Sequence, residues 1–98
     1  MKRIIIDKVN FILVNHIVSF GIREHRSEYD ALIYIPCHFF ENNEIFYSFN
    51  EKNKAIKVIK KIEVFLDNDD NVLDLSSFVQ KLMNQDNRAN QLNYNNEK

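Results

Sequence analysis

Apolar and polar residues alternate along much of the chain from Lys2 to Phe49, and beyond Asn50 the apolar residues recur at helical spacing. Two long alternating stretches predict β-hairpins. In Val9 to Ile22, a two-residue turn at Asn15 and His16 places Val9, Phe11 and Leu13 on the same face as Val18, Phe20 and Ile22. In Asp30 to Asn50, a turn at Asn42 and Asn43 is expected, because Asn tolerates the positive φ that both central positions of a type I′ turn require.

The second register sets Phe40 opposite Ile45, Phe39 opposite Phe46 and His38 opposite Tyr47. Parity then defines two faces. Ala31, Ile33, Ile35, Cys37, Phe39, Phe46 and Ser48 form an aliphatic face suited to packing under a helix. Leu32, Tyr34, Pro36, His38, Phe40, Ile45, Tyr47 and Phe49 form a more aromatic one. Pro36 lacks a backbone donor and is expected at an edge or bulge. Lys2 to Ile6 reads as a short edge strand or the start of the next strand, and Arg23 to Glu28 as a charged connection.

A helix is expected over 51–66, capped by Asn50. Ala55, Ile59, Ile62 and Leu66 form its apolar stripe, widened by Ile56, Val58 and Phe65, and Lys52, Lys54, Lys57, Lys60 and Lys61 lie on its wet side. A competing reading ends this helix near Lys61 and makes Ile62 to Leu66 and Val72 to Leu75 a small hairpin. Asp74 can cap a shorter helix over 75–84, with Leu75, Phe78, Val79 and Leu82 recurring along it. The polar segment 85–98 is expected to be a disordered tail.

The fold class expected is therefore α+β, a single domain over 1–84. It comprises an antiparallel β-meander of four to five strands packed by one long helix and a short C-terminal helix. This element order resembles a truncated pleckstrin-homology-like roll, with no motif that would assign roles to particular residues.

Composition narrows the function classes. The chain has 98 residues and a formal net charge of -1, so no global field draws it to nucleic acid or an anionic membrane. One cysteine excludes an internal disulfide framework and fits a reducing compartment, with Cys37 read as a buried packing residue. No signal-peptide pattern or membrane span is evident, which places the protein in the cytoplasm and away from membranes. Abundant Asn, Ile, Lys, Phe and Tyr, with a single Gly, suits an AT-rich bacterial genome or one of its mobile elements, such as a phage.

Motifs for chemistry are sparse. In the DNDDN segment, Asp67, Asp69 and Asn71 match the first ligand positions of a calcium-binding EF-hand loop, but Val72 replaces the turn glycine and Phe78 the bidentate Glu. An ordinary acidic turn is expected instead. His16, His25, His38 and Cys37 lack metal-ligand spacing, and no Gly-rich elbow or phosphate loop is present. Glu41 and Glu44 flank an exposed turn where burial cannot raise a pKa. These readings favour a non-enzyme with no cofactor, no metal and no small-molecule substrate.

The aromatic face then carries the functional expectation. Tyr34, His38, Phe40, Tyr47 and Phe49 combine apolar area with polar tips, as binding hot spots do, unless the 75–84 helix covers them. The first expectation is a non-catalytic protein-binding module or homodimer, of which a mobile-element inhibitor of a larger host protein such as a defence nuclease is one version. The alternative is a small RNA- or DNA-binding regulator, with Arg3, Lys8, Arg23 and Arg26 flanking the aromatics.

Overall fold

The computed structural model describes residues 1–36 and 41–84. Six strands and two helices are present among them: β1 (Arg3–Ile5), β2 (Phe11–Leu13), β3 (Ser19–His25), β4 (Glu28–Tyr34), β5 (Glu44–Phe49), α1 (Lys52–Asp67), β6 (Val72–Asp74) and α2 (75–84). The α+β class, the long helix and the short C-terminal helix are as the sequence pattern predicts. The strands, however, divide between two sheets, one an antiparallel meander in the order β3-β4-β5 and the other in the order β2-β1-β6.

The second sheet is mixed, since β1 pairs antiparallel with β2 and parallel with β6. Lys2 to Ile6 thus supplies a central strand rather than an edge, and the chain departs here from an all-antiparallel roll. Val72–Asp74 is extended, as the competing reading of that region has it, but its partner is β1 and α1 runs unbroken to Asp67. Each of these strands is three residues long and buries its middle residue, so Ile12, Ile4 and Leu73 form one row facing the core.

The predicted hairpin over Val9 to Ile22 does not form. A competing turn prevails, in which Oδ1 of Asp7 accepts the backbone N–H groups of Val9 and Asn10, each at 2.8 Å. It folds β2 back onto β1. Asn15 and His16 instead lie in a single 3₁₀ turn, Val14–His16, that carries the chain from one sheet to the other. Val9, Phe11 and Val18 are exposed as a result, while Ile12 is buried.

The meander explains the rest of the core. Arg23 to Glu28 is no connection: β3 continues to His25, β4 begins at Glu28, and Arg26 and Ser27 alone make the turn, Arg26 at φ 56. Asn42 and Asn43 do adopt positive φ, 58 and 60, but the register they close is different. Ile35 donates its N–H to the Asn43 carbonyl at 2.8 Å, and Phe46 pairs with Leu32 rather than with Phe39. That seven-residue displacement is odd, so it reverses the faces of β5 relative to β4.

Burial accounts for the choice. The observed register turns Ile45, Tyr47 and Phe49 inward beside Ala31 and Ile33, where the expected one would have turned in only Phe46 and Ser48. α1 covers this inner face with Ala55, Val58, Ile62 and Phe65. Leu75, Val79 and Leu82 of α2 enter the same buried cluster. Asp74 caps α2 as its position predicts, its Oδ1 accepting the Ser77 N–H at 3.0 Å. α1 begins one residue later than expected, with Glu51 at the N-cap position and no side-chain cap.

Candidate functional site

Because α1 occupies one face of the β3-β4-β5 sheet, the opposite face is the place where the meander can present side chains. The pairing aligns three rows across it: Arg23, Asp30 and Ser48; Gly21, Leu32 and Phe46; Ser19, Tyr34 and Glu44. Gly21 supplies no side chain, and nothing lies within 4 Å of the position a Cβ would take. The middle of the face is therefore shallow, with Phe46 49% exposed and Tyr34 also exposed.

One polar network spans the three strands. Arg23 donates from Nε and Nη2 to Oδ2 of Asp30, at 3.2 and 3.0 Å, and from Nη1 to Oε1 of Glu44 at 2.9 Å. Ser48 Oγ donates to Oδ1 of Asp30 at 2.6 Å. Asp30 is only 4% exposed, so these three hydrogen bonds replace its lost hydration. Hydrogen bonds from Arg23 to Glu44 and then to Asp30 hold its guanidinium pKa above the ordinary value. The same guanidinium lies 5.3 Å from the centroid of the Phe46 ring. At the turn end of the face, Arg23, His25, Glu28, Asp30, Phe46 and Ser48 line a cleft of about 400 Å³.

A larger open groove, about 600 Å³, lies between the Asp7 turn and α2, with Ile6, Tyr47, Val79 and Met83 among its lining residues. At this groove Tyr47 donates its hydroxyl proton to the Ile6 carbonyl at 2.9 Å. Burial, and then the negative charges of Asp7 and Asp74, push the Tyr47 phenol up to about 12, so it is a neutral donor at physiological pH.

The five aromatic-face residues expected to bind a partner do not share one surface. Tyr34 is on the open face. Phe49, 5% exposed, and Tyr47 belong to the core side, with residues of α2 in the same cluster. The reversed parity of β5 is the reason, and it brings Phe46 out in their place. His38 and Phe40 lie outside the described residues, as do Cys37 and the 85–98 segment.

The basic residues named for the nucleic-acid alternative are also dispersed. Arg3 is over the Phe11 ring in the other sheet, at 5.4 Å, Lys8 lines the Tyr47 groove, Arg26 is in a turn and Arg23 is held by two carboxylates. On α1, Lys54 donates to the Leu82 carbonyl at 3.3 Å and Lys61 lies over the Phe78 ring at 5.3 Å. The Asp67 to Asn71 loop does gather oxygens around a cation, but that cation is the Lys2 ammonium, which donates to the carbonyls of Phe65, Asn68 and Asp70. Among the described residues no three His, Cys, Asp or Glu side chains converge as metal ligands, and no helix is long and apolar enough to cross a membrane.

The Arg23, Asp30 and Ser48 row is not anticipated by the alternation of apolar residues. Its signal in the sequence is the opposition of Arg23 to Asp30 about the Arg26-Ser27 turn, obscured because neither turn residue is Gly or Asn.

Fold and face together define a small α+β domain whose meander is covered by a helix on one side and open, aromatic and acidic on the other. Comparisons with protein-family models, with curated proteins and with solved structures find no match.

Proposed function

We propose that the protein is a non-catalytic protein-binding module that engages its partner through the open face of the meander. The supporting observation is the exposure of Phe46 and Tyr34, with Leu32 between them in the lattice of pairs, on the face opposite α1. A stable partner surface needs such aromatic anchors with polar groups around them, and Arg23, Asp30 and Glu44 supply a rim fixed by its own hydrogen bonds. Within this reading, a cytoplasmic mobile-element inhibitor acting by occlusion of a larger host protein is the version that the composition suits.

The face disfavours the nucleic-acid alternative. Its register positions hold one arginine, Arg23, against the carboxylates of Glu28, Asp30 and Glu44, and this balance repels phosphate.

The test is affinity capture with the full chain and with Phe46→Ala and Tyr34→Ala variants, over a series of salt concentrations. A protein partner retained by the native chain, released by both variants and insensitive to salt supports the proposal. Capture of nucleic acid, with log affinity falling steeply against log salt, or of a protein equally well by all three chains, defeats it.

A further inference from the structure

β3 is the terminal strand in the order β3-β4-β5, and no strand among the described residues pairs with its other side. His25 and Glu28 flank the two-residue turn as a hydrogen-bonded pair, so alternation along the hairpin points the N–H and C=O groups of Phe20, Ile22 and Glu24 away from β4. Natural sheet edges are blunted by proline, lysine, a bulge or an inward charge. From Phe20 to Ile22 this edge has none of them. Phe20 and Ile22 sit opposite the buried Ile33 and Ala31, on the side of the sheet that α1 packs against, yet Ile22 is 38% exposed. The edge therefore offers unpaired backbone groups and an uncovered apolar side chain together.

We infer that β3 pairs antiparallel with β3 of a second copy, about a two-fold axis at Gly21. The strand is self-complementary in that register. Phe20 stands opposite Ile22 of the copy and Ile22 opposite Phe20, both as hydrogen-bonded pairs, so the exposed apolar surface of Ile22 is covered by an aromatic ring. Ser19 then faces Arg23 and Val18 faces Glu24, and no like charges are opposed. Neighbouring registers fit less well. Centring on Ile22 sets Phe20 against Glu24, and centring on Phe20 sets Ile22 against Val18, whose N–H is already donated to the Tyr34 carbonyl at 3.0 Å. The inference goes beyond the protein-binding reading above. Pairing at the edge leaves Tyr34 and Phe46 uncovered, so the dimer presents two copies of the open face on one continuous sheet.

The experiment is sedimentation equilibrium of the full chain, followed by cysteine cross-linking that reads the register. A single strand pair is smaller than a standard interface, so a reversible dimer with a dissociation constant on the order of 10–100 μM is expected. Ile22→Lys, a charge on an exposed edge position, is expected to weaken it at least about tenfold, with circular dichroism showing the fold retained. In a Cys37→Ser background treated with oxidised glutathione, Gly21→Cys is expected to give a disulfide-linked dimer, because the non-hydrogen-bonded pair on the axis brings its Cα atoms to about 4.5 Å. Ser19→Cys, whose copies lie four positions out of register, is expected to stay monomeric. This cross-linking contrast decides the matter even if Ile22→Lys fails to fold. A chain that is monomeric at about 1 mM, a dimer that withstands Ile22→Lys, one lost in Phe46→Ala and Tyr34→Ala, or cross-linking as efficient at Ser19→Cys as at Gly21→Cys overturns the inference.

Discussion

Lys2 donates through Nζ to the backbone carbonyl of Phe65 at 2.8 Å while lying 4.4 Å from the centroid of the same residue's ring. Its other donors reach the carbonyls of Asn68 at 2.7 Å and Asp70 at 2.6 Å. An ammonium at this position adds a charged donor to the Phe65 carbonyl, which also accepts the Asn68 N–H at 3.4 Å, satisfies carbonyls of the loop that follows α1 and opposes the negative end of the helix dipole. It also ties the first residues of the chain to a loop more than sixty positions away, beside the parallel β1-β6 pair.

Lys2→Met keeps the apolar stem and removes the donors. With three carbonyls losing a charged partner, the expected cost is about 2 kcal/mol, a fall in Tm of roughly 10 °C for a domain of this size. Thermal melts followed by circular dichroism measure it. An unchanged Tm would show that water replaces the ammonium at no cost.

Tyr47 couples pH to stability at the alkaline end. Its folded phenol titrates at about 12 and an unfolded tyrosine at about 10, so the folded chain favours the neutral form. The stability this contributes is complete below pH about 10 and is lost as pH rises through 12. Tyr47→Phe should lower stability at neutral pH by about 1 kcal/mol through loss of the bond to Ile6 and should flatten the decline between pH 10 and 12. Denaturant unfolding of both chains across that range tests the sign.

At the acidic end the direction reverses. The Ser77 N–H, then the Ser77 and Ser76 hydroxyls, hold the Asp74 pKa below the usual carboxylate value, and the Asn10 side chain, followed by the Val9 N–H, does the same for Asp7. Both carboxylates therefore support the fold above the unfolded carboxylate pKa, and that support is lost as pH falls through their lower folded values. Asp74→Ala is expected to lower Tm at pH 7 and to make the loss of stability on acidification smaller. An acid transition identical in the two chains would remove the α2 cap from the account.

The sequence pattern predicts the helices well because their apolar periodicity is local, although α1 begins at Lys52 without the Asn50 side-chain cap expected for it. Ala55, Ile62 and Leu75 face the core as their spacing predicts, and Asp74 caps α2. Strand pairing was legible only where a turn announced itself. Asn42 and Asn43 take the positive φ expected of them, yet φ does not fix register, and the pairing was decided by the larger apolar set on β5, Ile45, Tyr47 and Phe49. The division into two sheets followed from contacts distant in sequence, Arg3 to Val72 and Ile4 to Leu73, which no local period encodes. For the candidate site, Tyr34 lies on the open face, Tyr47 and Phe49 lie on the core side, and Phe46, which the predicted parity assigns to the aliphatic face, is exposed.

The tight turn between β3 and β4 has a residue-level misfit. Arg26 holds φ at 56, a region that glycine enters without the steric cost a Cβ brings. Arg26→Gly should stabilise the chain by about 1 kcal/mol. A higher midpoint in urea with an unchanged slope is the expected signature, and a lower midpoint would mean that the Arg26 side chain makes a contact worth more than the strain.

Gly21 links the fold to the proposed surface. It sits in the middle row of the open face beside Leu32, without positive φ and with no atom near its missing Cβ. A strand interior has no need of glycine there, and a β-branched residue suits the pleat better, so Gly21→Thr should raise stability by about 1 kcal/mol. If the shallow centre serves to admit a partner, the same substitution should weaken capture by about tenfold, because the added side chain stands where the partner's atoms would lie. Stability and binding moving in opposite directions is an outcome that a purely structural role for this face does not produce. A Gly21→Thr chain that is both more stable and fully competent in capture would place the partner surface elsewhere.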